Sequence, residues 1–321
     1  MIRALRQLFS SEAIEVGPGQ ATLAPDEAGR LMKLATVASV SVATVLIGVK
    51  LAAWLMTDSI SVLSSLVDSL LDALASLVSM FAVYQALRPA DREHRFGHGK
   101  AEPLAGLGQT AFISVSGVLL LIEAISRLVS PRAVAHVDVG IGVMVFATVI
   151  TGALVVFQYY VVRKTGSTAI GADALHYKSD VLVNLSVIVS LGLSAWLGWH
   201  VADPLFGIAI GLFLLYGAWK IARRSLDFLM DREFPDDDRA RIRDIVMHHP
   251  MVKGMHDLRT RRAGLQPFIQ LHLELDGDMR LLEAHEIADQ VEARIKQAYP
   301  AAEVLIHQDP EGVEEPPPQF R

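Results

Sequence analysis

Two pairs of ionisable residues stand inside stretches that are otherwise apolar: Asp68 with Asp72, and His176 with Asp180. Each pair is spaced i, i+4, so on a helix both side chains leave from one face. A carboxylate at the middle of a membrane-spanning helix costs about 2.5–3.5 kcal/mol on insertion scales. Read along the chain, no Arg or Lys is expected to oppose these acids at matching depth. The pairs could neutralise one another through shared protons or hydrogen bonds. A bound divalent cation answers the charge better. Three carboxylates and one imidazole make four ligands, the tetrahedral set that Zn²⁺ prefers.

Other residues offer weaker chemistry. Asp91, His94 and His98 share a short polar segment and could hold a second metal ion, although loop histidines are often only solvated. Further along, His256, His272, His285 and His307 fall on separate elements, with Asp309 close behind His307, and form a third candidate group. His248 and His249 end a helix, where a cation complements the dipole, and are expected to be structural. His285-Glu286 opens like a zinc-protease motif, but Asp289 stands where the second histidine belongs. Asp173 is expected to be a helix-start carboxylate. Lys178 is expected to snorkel or pair with a loop, and Glu123 with Arg127 to form a plain i, i+4 ion pair.

The elements that must position these groups follow from hydropathy. The 321-residue chain is 52% hydrophobic and lacks cysteine, so disulfides are excluded and any metal is held by nitrogen and oxygen. A net charge of −6 argues against a nucleic-acid partner. Six apolar stretches, roughly 31–56, 60–88, 105–129, 138–162, 174–198 and 204–224, are each long enough to cross a bilayer. Arg30, Lys33, Arg88, Arg92, Arg95, Lys100, Arg163, Lys164, Lys220, Arg223 and Arg224 gather at alternate ends, while the opposite ends carry little beyond Arg127 and Arg132. By the positive-inside rule both termini are cytoplasmic, with Trp54, Trp196 and Trp199 at the far interface.

Four regions result. Residues 1–29 form an N-terminal cytoplasmic segment whose first nine residues suit an interfacial helix better than a signal peptide. Residues 30–231 form an all-α six-helix transmembrane domain. Residues 232–310 form a cytoplasmic α+β domain, with a helix from Asp236, strands at 254–262 and 268–275, a helix near 280–298 and a strand at 304–307. In the second strand Ile269, Leu271, Leu273 and Leu275 alternate with Gln270, His272 and Glu274. The proline-rich tail, 311–321, is expected to be disordered. No internal repeat is evident.

Taken together, the DxxxD of Asp68/Asp72, the HxxxD of His176/Asp180, the run from His94 to Glu102 and the ending Ile306-His307-Gln308-Asp309-Pro310 resemble the cation diffusion facilitator family, most closely its bacterial zinc-efflux branch. The likeness runs from about residue 30 to 310. It implies a homodimer in the bacterial inner membrane, each protomer carrying a metallochaperone-like αββαβ domain. It also implies a transport site of Asp68, Asp72, His176 and Asp180. A loop site of Asp91, His94 and His98 follows, with a zinc cluster of His256, His272, His285, His307 and Asp309. Lys100 and Asp231 match positions that form a charge interlock in the family. Outward transport of zinc, or of cadmium or ferrous iron, is implied in the same way.

Proton exchange is the expected driving chemistry. Ligands must shed protons to bind metal, and imidazole titrates near neutrality. A membrane-bound zinc sensor that moves nothing is the alternative; the cytoplasmic histidines would suit it, whereas carboxylates at mid-bilayer would serve it no purpose. An intramembrane metallohydrolase would need a general base beside an open metal position, and no motif supplies one.

Overall fold

The computed structural model describes residues 23–57, 60–129, 140–197, 199 and 201–312. The interfacial helix expected at 1–9, the loop around Arg132 and residues 313–321 of the proline-rich tail lie outside the described residues.

Six long helices come first: α1 (Pro25–Thr57), α2 (Ile60–Ala86), α3 (Ala101–Val129), α4 (Gly140–Thr165), α5 (Thr168–Leu197) and α6 (Ala202–Leu229). Pro25 opens α1 where its missing N–H costs nothing, and Asp26 and Glu27 complement the dipole of that first turn. Five stretches are long and apolar enough to cross a membrane: Pro25–Met56, Ser65–Ala86, Ala101–Val129, Met144–Thr165 and Ala202–Leu229. The sixth helix, α5, has 30 residues but is interrupted by Asp173, His176, Lys178 and Asp180. It packs between α4 and α6 and also touches α2 and α3, so neighbouring helices cover its polar groups. Among these helices α3 and α6 pair most extensively. A Cβ on Gly211 would lie 2.7 Å from Leu121 and 3.2 Å from the Gly117 carbonyl, so only small residues allow this approach.

Met230 ends α6, and Asp231 follows with φ 56°, turning the chain into the C-terminal α+β domain. That domain runs α7 (Asp236–Met247), β1 (Gly254–Ala263), β2 (Gln266–Leu275), α8 (Leu281–Ala298) and β3 (Glu303–Pro310). The sheet order is β1-β2-β3, with β1 antiparallel to β2 and β2 parallel to β3 through the α8 crossover. Alternation in β2 turns Ile269, Leu271, Leu273 and Leu275 into one core with Ile242 and Val246 of α7 and Ile287, Val291 and Ile295 of α8. The opposite face of the sheet carries the histidines. The expected αββαβ order is present, with β3 extending further on both sides than the predicted 304–307.

The two domains meet at Gly99. A Cβ there would lie 2.2 Å from the Ala263 carbonyl, so the loop between α2 and α3 lies directly against the β1–β2 hairpin. Beside it Lys100 Nζ is 3.0 Å from Asp231 Oδ1 and also donates to the Leu229 carbonyl at 3.2 Å.

Candidate metal sites

Helices α2 and α5 cross so that Asp72, His176 and Asp180 each offer a donor atom within 4.8 Å of the others. His176 Nε2 lies 2.7 Å from Asp72 Oδ1. Asp68, one turn earlier on α2, is exposed and stands outside this group. The structure therefore brings together three of the four expected ligands and leaves the fourth adjacent.

Three expectations about the neighbouring charges need correction. Lys50 on α1 faces α2, donating to the Ser65 carbonyl at 3.1 Å and to Ser69 Oγ at 2.6 Å, and its charge acts on Asp72, Asp180 and Asp68. A cation does oppose the acids, because α1 packs along α2. The signal was present in the sequence, as a lysine inside the apolar run 31–56. Lys178 does not snorkel. It is buried, with Nζ 4.7 Å from the Phe213 ring centroid and 5.5 Å from that of Tyr159, so two aromatic faces receive its charge. Asp173 is not a helix-start carboxylate. The acid at the start of α5 is Glu102 of α3, buried, whose Oε1 accepts the Thr168 N–H at 2.7 Å. Asp173 lies beyond the first turn, buried among polar groups of four other helices. Arg127 pairs with Glu123 at 2.8 Å as expected, and also reaches Asp203 at 3.2 Å.

The structure brings Asp91, His94 and His98 together. Asp91 Oδ1 accepts the backbone N–H of His94 at 2.7 Å and of Glu93 at 2.9 Å, a local turn that folds the histidines back over it. His94 Nδ1 is 3.4 Å from Asp91 Oδ1, His98 Nε2 is 3.3 Å from Oδ2, and the two rings lie 4.6 Å apart. The backbone bonds from His94 and Glu93 hold the exposed Asp91 carboxyl below the ordinary carboxylate range.

In the C-terminal domain the strand register performs the assembly. His256 pairs with His272, and His272 with His307, so three histidines form a row across three strands on one face. His256, His272 and Asp309 bring donor atoms within 4.8 Å. Asp309 Oδ2 lies 2.8 Å from His272 Nδ1 and 3.4 Å from His256 Nε2, and its Oδ1 lies 3.1 Å from His307 Nε2. His285 is not brought there. It sits exposed on α8, 3.6 Å from Asp289 of the same helix. Sequence reasoning missed Glu274, whose Oε1 is 2.8 Å from His256 Nδ1 and fixes the ring so that Nε2 faces Asp309. It also missed Asp257, 3.8 Å from His272 and set by a β-bulge at φ 45°. Glu274 was accessible from the sequence, since it shares a β2 face with His272. The bulge at Asp257 was not. His248 and His249 are structural as expected, with His249 Nε2 3.1 Å from Gln290 Oε1 and His248 Nδ1 2.6 Å from the Asp244 carbonyl.

Three clusters of hard oxygen and imidazole nitrogen, one of them between membrane helices, suit divalent metal ions. The cation efflux transmembrane domain family matches residues 36–230, and the cation efflux protein cytoplasmic domain family matches residues 234–311. The chain belongs to the cation diffusion facilitators. This facilitator is 49% identical over 282 residues to the cation-efflux pump FieF of Salmonella typhimurium strain LT2, covering 88% of this chain and 94% of that one. The same pump of Salmonella paratyphi A is 48% identical over the same length. Among solved structures, a putative zinc transporter CzrB in its zinc form is 35% identical over 27% of this chain and 99% of that chain, with TM-score 0.25. The metal-bound C-terminal domain of the CzcD transporter of Thermotoga maritima is 31% identical over 25% and 93%, with TM-score 0.24. The protein is a multi-pass membrane transporter that exports divalent metal cations, and not an enzyme. Membership sets aside both the sensor and the metallohydrolase readings.

Proposed function

We propose that this facilitator exchanges cytoplasmic Zn²⁺ for protons as a homodimer in the bacterial inner membrane, with both termini cytoplasmic. The observation that carries the reading is the convergence of Asp72, His176 and Asp180 between two membrane helices. Two carboxylates and an imidazole provide three ligands, and Asp68 on the same face of α2 is placed to supply the fourth as the helices shift. One imidazole among oxygens favours Zn²⁺ or Cd²⁺ over purely hard ions.

Binding requires deprotonated ligands, so protons and metal exclude one another at the same atoms. Protons arriving from the far side displace the ion, and metal arriving from the cytoplasm displaces the protons. The helices need only alternate their access around a fixed site. Lys50 supplies a tethered positive charge beside the acids when no metal neutralises them. The loop group and the Asp309 cluster face the cytoplasm in this orientation. Metal bound there favours one arrangement of the dimer through differential affinity.

The test is flux in sealed vesicles loaded with a zinc dye and given a pH step. Zinc entry that depends on the gradient and disappears in Asp72→Ala supports exchange. Zinc binding without flux in either gradient direction would overturn it. Flux indifferent to the gradient would remove the proton coupling and leave a facilitated pore. Replacing His176 by Asp should weaken the preference for zinc over harder ions.

A further inference from the structure

Asp173 is among the most buried charged groups of the described residues, at 2% exposure, and the transport reading does not use it. Four side chains from four other helices donate to it. Ser39 of α1 donates to Oδ2 at 2.6 Å and Gln158 of α4 to the same oxygen at 2.6 Å. Ser76 of α2 donates to Oδ1 at 3.1 Å and Gln109 of α3 to Oδ1 at 3.3 Å. Gln158 also donates to Ser39 Oγ at 2.8 Å, and Ser76 Oγ lies 2.9 Å from the Tyr177 hydroxyl. Both glutamines leave their carbonyl oxygens buried without a partner, so the carboxylate dictates how these amides are turned.

The spacing relates this hub to the transport site. Ser76 is four residues beyond Asp72 on α2, and Asp173 is three residues before His176 on α5. Each pair therefore shares a helix face. Two rungs consequently link α2 to α5: Ser76 to Asp173, and one turn away Asp72 to His176. The first rung is buried, with Ser76 at 0% exposure. The second is partly open, as a site that loads and releases an ion must be. Ser and Asp are short, and their bond fixes the interhelical distance where it forms. That distance decides how far apart Asp72 and the His176/Asp180 pair stand.

We propose that Asp173 is a positioning residue for the transport site, its carboxylate holding α5 at the distance and rotation from α2 that brings Asp72, His176 and Asp180 into one coordination shell. The inference rests on the transport reading above. A carboxylate serves because it accepts at both oxygens from four donors. An Asn would present its own donors to them, and an Ala would leave four buried donors unmatched.

The test compares zinc flux and equilibrium zinc binding in Ser76→Ala, Asp173→Asn, Asp173→Ala and the exchange double variant Asp173→Asn/Gln158→Glu. All are made in full-length protein, and binding is read in a background with His94→Ala and His272→Ala. Groups that orient metal ligands typically change affinity about 10–100-fold. Asp173→Asn and Ser76→Ala should raise KM and the zinc Kd by at least about tenfold, with kcat changed less. The exchange double variant restores an amide–carboxylate pair between α4 and α5 and should recover much of that loss. Unchanged KM and Kd in Asp173→Asn and Ser76→Ala would overturn the proposal. So would a double variant no better than Asp173→Asn when both unfold at the wild-type temperature. Should Asp173→Ala fail to fold, the milder pair decides. Wild-type protein that binds zinc in this assay yet carries none would break the transport cycle while leaving the positioning role to be read from Kd.

Discussion

The candidate group between the membrane helices and the one on the sheet offer the same donor types and are built by opposite means. Between α2 and α5 the donors come from two helices, Asp72 on one and the i, i+4 pair His176 and Asp180 on the other, in surroundings where each charge is costly. On the sheet, His256, His272 and Asp309 come from three strands with one residue apiece. The surroundings differ equally. The helix site stands beside a buried polar layer and a lysine, whereas the sheet site lies on the open face of a domain whose core is on the other side. A site made of helical pairs tolerates little change in the angle between two rods. A site made of a strand row is fixed by the hydrogen-bonded ladder beneath it and does not depend on the angle between two rods.

This contrast leads to distinct outcomes. The largest belongs to the helix site. His176→Ala should reduce vesicle zinc flux to that of protein-free vesicles, and a flux within a few-fold of wild type would erase the claimed dependence on two helices. Next, His272→Ala should lower the count of bound zinc and abolish zinc-induced stabilisation of the cytoplasmic domain. With zinc a hundredfold above Kd that stabilisation is about 2.7 kcal/mol by mass action. His285→Ala should leave both unchanged. Equal losses from the two variants, read by calorimetry and thermal unfolding, would return His285 to the cluster.

A smaller effect is expected at Lys50. Lys50→Gln removes a positive charge that competes with the incoming ion, so the zinc KM should fall, on the order of tenfold or ~1.4 kcal/mol. A KM that rises instead would recast Lys50 as a packing residue. The smallest effect concerns acid. The depressed carboxyl of Asp91 stays ionised as pH falls to the ordinary carboxylate value. Its contribution to the loop turn is present above the ordinary carboxylate value and is lost only as pH falls through its lowered value. The turn should therefore persist as pH falls to the ordinary carboxylate value. Amide exchange of the His94 N–H that accelerates above that value would contradict this order.

Much of the fold could be read from particular residues. The clean alternation of β2 announced a half-buried strand, and acids in an apolar helix announced polar partners on neighbouring helices, because both patterns are costly under any other arrangement. The misreadings share a cause. Asp173 and Lys178 were judged from their own segments, and Lys50 was passed over as an opposing cation, yet each owes its role to helices distant in sequence. Asp173 receives Ser39, which lies 134 positions away, and Lys178 rests on Phe213. His285 was grouped with the other histidines as one of four on separate elements and through the family resemblance, and within the chain α8 sets it beside Asp289 instead of in the row.

Apolar helices of bilayer length ahead of a small α+β domain were legible in the residues alone, as was the shared helix face of His176 and Asp180. Those facts follow from hydropathy and from a helical repeat of about 3.6 residues, both local properties of the chain. Only the tertiary structure decided that Asp68 stands apart, that Lys50 faces the acids, that Glu102 caps α5 and that Asp173 joins five helices. These depend on how rods pack and how strands register, distances that no local pattern encodes.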